Sequence, residues 1–171
     1  RFDHLVRLDP HSRTHELGTR RADASRDDEA FAVCWRHRVV LDAAAHAIGP
    51  VFEVGHVNLR DPEPGHGEQR LHPDHGPEAV AGITATWFID EFTVLNGSTR
   101  VLAGSHRCPP AERNVPGTDR PGPGETVAVG PAGSVLVRDA RLFHAAGCNT
   151  SGAPRRSALV FYQRTIPDPT G

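Results

Sequence analysis

Among the residues that could do chemistry, two histidines and an aspartate stand out. They are His72 and Asp74 in Leu71-His72-Pro73-Asp74, and His144 in Leu142-Phe143-His144-Ala145-Ala146-Gly147. Two imidazoles and one carboxylate on one face of a metal, with the opposite positions open, form the ligand set of non-haem Fe(II) oxygenases. The His-x-Asp spacing has a physical basis. Residues i and i+2 of a β-strand project from the same face, so His72 and Asp74 can reach one ion while Pro73 points away. His144 must then come from a strand across the fold. Pro73 has no N–H to donate, which puts its strand at a sheet edge or a bulge. In a chain with 11 His, roughly one His-x-Asp match arises by chance, so the surroundings must carry the weight.

Arg155 adds to them. It lies eleven residues after His144, at the head of the apolar run Ser157-Ala158-Leu159-Val160-Phe161-Tyr162. An arginine entering a protein interior needs an anionic partner, because an unpaired buried guanidinium is costly. A dicarboxylate cosubstrate would supply one through a bidentate fork. Arg156 is the competing candidate, with Arg155 then facing solvent. Other chemistries lack their signatures: there is no HExxH, GxSxG, P-loop or GxGxxG opening a helix, which removes zinc proteases, α/β-hydrolases, P-loop NTPases and Rossmann enzymes.

The elements that must position these groups follow from patterning. The 171 residues suit one domain, 1–171, and can bury a core without disulfides. Residues 1–26 show no sustained period and read as a surface segment or the remnant of a larger N-terminal part. From Asp27 apolar residues recur at three and four, predicting one helix over 27–48 that ends at Gly49-Pro50. Short β-rich runs follow: 51–59, 69–72, 80–92, 99–102, 126–129, 134–137, 142–145 and 156–165. Seven or eight short strands separated by Gly and Pro predict a mainly β double-sheet jelly roll over 51–166. In one of them Ala81, Ile83, Ala85, Trp87 and Ile89 alternate with more polar neighbours, as on a strand with one face on a core. A Pro/Gly-rich stretch between His106 and Glu125 reads as a long functional loop.

Composition narrows the class further. Net charge is −2, with Arg scattered among Asp and Glu, so no basic stripe supports nucleic-acid binding. No apolar window is long enough for a membrane helix and no secretory signal is visible. Three widely spaced cysteines, Cys34, Cys108 and Cys148, suggest reduced thiols in a cytoplasmic protein. All 19 basic residues are Arg, and Met is absent although the chain starts at Arg1, so the natural start is expected to be missing. The chain then looks like a catalytic core without N-terminal or lid segments.

Taken together, these residues resemble the phytanoyl-CoA dioxygenase-like family of Fe(II)/2-oxoglutarate-dependent oxygenases. The matching text is Gln69-Arg70-Leu71-His72-Pro73-Asp74, then Trp87 to Thr93 running into Asn96 to His106. Gly133 to Val137, His144 to Gly152 and Arg155 continue it. The resemblance implies a double-stranded β-helix, Fe(II) held by His72, Asp74 and His144, and Arg155 pairing with the distal carboxylate of 2-oxoglutarate, with O2 as second cosubstrate. It also implies Trp87 lining the cosubstrate site with Gln69 close by, although simple core packing is an equal reading of Trp87. Two departures are Ala103, where Pro is common, and Ala146, where a hydroxyl residue is common two positions after the distal His. The second puts one cosubstrate hydrogen bond in doubt. Because Asp74 fills the position that halogenating relatives leave open, the implied outcome is hydroxylation, or desaturation or cyclisation, of an unactivated C–H.

The alternative is a cupin-like metal barrel with redox-neutral activity or a non-catalytic small-molecule binder; neither needs a buried Arg155. Segments 60–68 and 107–124 should shape the substrate site, but neither carries a readable code. The Arg-only, Ala/Gly/Pro-heavy composition resembles high-GC bacteria, where such enzymes often tailor natural products. Oligomeric state is not legible.

Overall fold

The computed structural model describes residues 1–8, 18–24, 28–76, 79–107 and 121–165. Most of the Pro/Gly-rich stretch read as a functional loop lies outside them. Eight strands form two antiparallel sheets. The larger runs in the order β1-β2-β8-β3-β6, with β1 Thr19–Ala24, β2 Phe52–Pro62, β3 Gly82–Phe88, β6 Val135–Asp139 and β8 Ser157–Arg164. The smaller is β5-β4-β7, with β4 Thr99–Leu102, β5 Glu125–Val127 and β7 His144–Ala146. This is the jelly-roll architecture the strand pattern predicts.

Strand parity divides the larger sheet into two chemically different faces. Val57 and Leu59 of β2, Ile83 and Ala85 of β3, and Ala158, Val160 and Tyr162 of β8 are all buried in one apolar cluster. That face is covered by helices: α1 Phe2–Leu8, α2 Ala32–Arg36 and α3 Arg38–Ile48. α3 supplies Val40, Ala44 and Ile48, spaced four apart on one stripe and 2% exposed or less. Burying such aliphatic side chains contributes roughly 1.5–3 kcal/mol each. The alternate residues, Arg21, Arg60, Thr86 and Ser157 among them, face the smaller sheet and line a cleft between the two.

Two expectations are corrected here. Residues 1–26 are not merely a surface remnant: β1 pairs along its length with β2, from Thr19↔Pro62 to Ala24↔Val57. Nor is 27–48 one helix, because a 3₁₀ turn over Glu29–Phe31 leads into α2 and the chain is extended at His37 before α3 starts. The break frees the Cys34 carbonyl, which accepts instead from Trp87 Nε1 at 2.8 Å and from the Tyr162 hydroxyl at 3.3 Å. Side chains from the sheet thus take over a hydrogen bond that a continuous helix would have made internally. The strands also differ from expectation at their ends, most of all at 69–72, which pairs with β7 through a single bridge at His72.

Candidate metal centre and cosubstrate cleft

His72 and His144 face each other across that bridge. His72 N–H donates to the His144 carbonyl at 2.9 Å and His144 N–H donates to the His72 carbonyl at 3.0 Å. Three residues earlier Gln69 N–H donates to the Ala146 carbonyl at 3.0 Å, and Gln69 Oε1 accepts from Ala146 N–H at 3.1 Å. Three residues on one side therefore match two on the other, which is a bulge, and it explains why 69–72 is not a regular strand. Beyond Pro73 the backbone turns, held by Asp74 and His75 N–H groups donating to the Ala140 carbonyl at 2.8 and 3.1 Å. His72 and Asp74 converge through this turn rather than through simple strand alternation.

Ligand atoms of His72, Asp74 and His144 lie within 4.8 Å of one another. Each imidazole is oriented by its own backbone. His72 Nδ1 lies 2.7 Å from the Arg70 carbonyl and His144 Nδ1 lies 3.0 Å from the Leu142 carbonyl. A carbonyl can only accept, so Nδ1 of each ring is the donor and Nε2 is the atom left for a metal, the orientation that metal-binding histidines show. Asp74 Oδ2 accepts from Thr84 at 3.0 Å and pairs with Arg138 Nη2 at 2.7 Å, leaving Oδ1 at 3.5 Å from His144 Nε2. Partial desolvation opposes ionisation of Asp74, whose side chain is 30% exposed, but the Arg138 guanidinium, His144 and the Thr84 hydroxyl together hold the carboxyl below its ordinary range. Burial and the Arg138 charge push His144 down to about 3, so the ring is neutral and able to donate its lone pair. Two imidazoles held through Nδ1 by backbone carbonyls and an ionised carboxylate, already gathered, fit a divalent metal of the iron type.

Beside His144 a narrow cleft is lined by Gln69, Thr86, Thr99, Arg155 and Ser157 among others. Arg155 is 5% exposed, and its Nε has no hydrogen-bond partner. Its guanidinium carbon sits 4.9 Å from the centre of the Phe92 ring. Burial first, then the Arg60 charge, lowers Arg155 to about 10. Arg156 goes the other way: its guanidinium grips Asp90 through Nε at 2.9 Å and Nη2 at 2.7 Å and also reaches Asp3. Of the two neighbours, Arg155 is the one with no carboxylate of the described residues in ion-pair distance; Asp61 acts on it only from farther off.

Gln69 lies at the cleft as expected, but Trp87 does not. Its ring packs against the helix-side cluster, edge-on to His37 with centroids 5.4 Å apart, and its N–H is committed to Cys34. β3 turns Thr86 to the cleft instead. Three arginines in the lining, Arg21, Arg60 and Arg138, were not anticipated. A signal existed for Arg138, which ends the apolar run Val135-Leu136-Val137 much as Arg155 begins one.

The fold and these residues describe a double-stranded β-helix with a two-histidine, one-carboxylate cluster at the edge of a cationic cleft. The phytanoyl-CoA dioxygenase (PhyH) family model matches residues 6–157, and the chain belongs to that family. The dioxygenase andF of Emericella variicolor is 33% identical over 112 residues, covering 55% of this chain and 35% of that protein. The matched region thus spans about a third of the curated relative. The fold is shared with solved structures, two of which are HygX and SnoN. HygX from Streptomyces hygroscopicus, with nickel, 2-oxoglutarate and hygromycin B bound, has a TM-score of 0.73 at 14% identity, covering 93% of this chain and 73% of that one. The epimerase SnoN, in complex with Fe3+, alpha-ketoglutarate and nogalamycin RO, has a TM-score of 0.67 at 17% identity, covering 86% and 64%.

Proposed function

We propose that this chain is the catalytic domain of an Fe(II)/2-oxoglutarate-dependent dioxygenase acting on an unactivated C–H of a small molecule, by hydroxylation or by desaturation or cyclisation, in bacterial secondary metabolism. The observation that carries the reading is the convergence of His72, Asp74 and His144, each histidine held through Nδ1, beside a cleft that holds buried Arg155 with no carboxylate of the described residues in ion-pair distance. Fe(II) at such a centre couples oxidative decarboxylation of 2-oxoglutarate by O2 to removal of a substrate hydrogen. In this reading His72 Nε2, His144 Nε2 and Asp74 Oδ1 are the protein ligands. Asp74 fills the position a halide would need, which favours hydroxylation over halogenation. Arg155 receives the distal carboxylate of 2-oxoglutarate as a bidentate fork. The hydroxyls of Thr86, Thr99 and Ser157 line the same cleft and make up for the one Ala146 lacks. Gln69 braces the wall through Ala146 rather than contributing charge.

HygX and SnoN each hold a small organic molecule together with 2-oxoglutarate or alpha-ketoglutarate, which supports a small molecule, rather than nucleic acid or membrane, as partner. No helix of the described residues is long and apolar enough to cross a membrane. A cytoplasmic setting, where thiols such as Cys34 stay reduced, belongs to the same reading. The test is succinate formation from 2-oxoglutarate under air with Fe(II) across a panel of small molecules. Wild-type protein should form succinate and His72→Ala should not. Absence of succinate with every candidate, coupled or uncoupled, defeats the proposal, and a chlorinated product defeats its hydroxylase half.

A further inference from the structure

The cleft holds more positive charge than the proposed cosubstrate uses. Its lining carries four guanidiniums, those of Arg21, Arg60, Arg138 and Arg155, and no carboxylate among the described residues. Arg138 is matched by Asp74 at 2.7 Å. On the reading above, Arg155 is matched by the distal carboxylate of 2-oxoglutarate, whose other carboxylate goes to the metal. Arg21 and Arg60 are left over.

Their placement is specific. In the β1–β2 ladder Arg20 stands opposite Asp61 and Arg21 opposite Arg60. The first pair forms an ion pair, so the cation on that side of the ladder has its anion. One residue on, facing the cleft, two like charges stand directly across from each other, an arrangement that destabilises a sheet. The Nε atoms of both are buried without a hydrogen-bond partner, and neither guanidinium is within ion-pair distance of a described carboxylate. Burial, with the Arg21 and Arg138 charges added, lowers Arg60 to about 10 against the longer-range pull of Asp74. Arg60 also borders a second, open pocket of about 240 Å³, lined by Asn58, Asp74, His75, Thr84 and Phe161 among others. It therefore stands between the cosubstrate cleft and open space beside the proposed metal ligand Asp74.

We infer that Arg21 and Arg60 form an oxyanion subsite for the substrate, which carries a carboxylate or phosphate group docked on this pair while its body fills the cavity beside Asp74. The inference rests on the oxygenase reading for its assignment of Arg155, and it narrows the substrate class to organic anions. Two guanidiniums opposed across a ladder present several N–H donors to one oxyanion, which neutralises their repulsion on binding.

The test is calorimetric titration of inorganic phosphate, and in a parallel arm benzoate, into Ni(II)-loaded protein saturated with 2-oxoglutarate. The two arms separate phosphate from carboxylate preference. At least one anion should bind with 2-oxoglutarate still in place. Arg60→Gln should weaken it tenfold or more, Arg60→Lys should retain most of it, and 2-oxoglutarate affinity should stay within threefold in both. Arg21→Gln, on the neighbouring strand, should reproduce the loss. Binding only by displacement of 2-oxoglutarate overturns the inference. So does Arg60→Gln weakening 2-oxoglutarate as strongly as Arg155→Gln, since the pair would then belong to the cosubstrate. If wild-type protein fails to bind 2-oxoglutarate, the oxygenase reading falls. Phosphate titrated into the 2-oxoglutarate-free protein then decides the pair alone: loss in Arg60→Gln supports it and no change overturns it.

Discussion

Replacing Arg155 by Gln separates the proposed role of this residue from its neighbour's. In the ligand-free protein Arg155 is 5% exposed and its guanidinium is lowered from its ordinary range to about 10, which amounts to about 3 kcal/mol against the charged form. A carboxylate docking there relieves that cost and adds charge-assisted hydrogen bonds of roughly 1.5–3 kcal/mol each. Arg155→Gln should therefore weaken 2-oxoglutarate by about 3 kcal/mol, on the order of 100-fold in Kd. The same substitution removes a buried, unpaired cation, so without ligand the variant should be more stable than wild type. The gain is reduced by loss of the contact with the Phe92 ring, which contributes roughly 0.5–2 kcal/mol. A net of about 1–2 kcal/mol moves Tm up by roughly 2–8 °C in a domain of this size. Calorimetry of 2-oxoglutarate binding to Ni(II)-loaded protein and thermal melts without ligand read the two effects. Arg156→Gln is the control, because Asp90 already occupies that guanidinium, and it should leave the Kd unchanged. A Kd for Arg155→Gln within threefold of wild type, with metal affinity intact, would refute the reasoning.

Three further outcomes follow from the same geometry. Trp87→Phe removes the hydrogen bond to the Cys34 carbonyl and should cost about 1 kcal/mol, seen as a fall in Tm, with 2-oxoglutarate affinity unchanged; a specific loss of that affinity would return Trp87 to the cleft. In metal-free protein His144 stays neutral far below its ordinary 6.5, whereas the unfolded chain takes up a proton below that value. Its contribution to stability is full above pH 6.5 and lost as pH falls toward 3, by up to about 1.4 kcal/mol per pH unit. Denaturant melts between pH 7.5 and 5 should show this slope and His144→Gln should flatten it. Finally, burial raises the Cys34 thiol to about 11, so iodoacetamide at pH 8 should leave Cys34 unmodified in native protein and label it once unfolded, as peptide mass spectrometry would read.

Much of the architecture was legible because it rests on local pattern. Turn residues and alternating runs predict the jelly roll, and residue types together with the motifs around them single out His72, Asp74, His144 and Arg155. The misreadings share a cause. Alternation groups Trp87 with Ile83 and Ala85 on a core face, while the family resemblance assigns it to the cosubstrate; a strand residue faces one way only. The structure sides with the alternation, since all three pack on the helices. Likewise the helical period runs unbroken through His37, and nothing in 27–48 announces that Trp87 and Tyr162, distant in sequence, take the Cys34 carbonyl. β1 escaped notice because an edge strand of Thr, Arg, Ala and Asp carries little apolar signal before its partner β2 is known.

Residue types set which chemistry is available, because ligand identity and side-chain charge are properties of residues. Tertiary structure decided which of those charges go unanswered. Arg156 and Arg155 are adjacent in the chain, yet one meets Asp90 and the other a cleft. Arg20 and Arg21 are also adjacent, yet one faces Asp61 and the other Arg60. Whether a guanidinium is matched depends on strand register and on the face it points to, and both are set by long-range pairing that no local window contains.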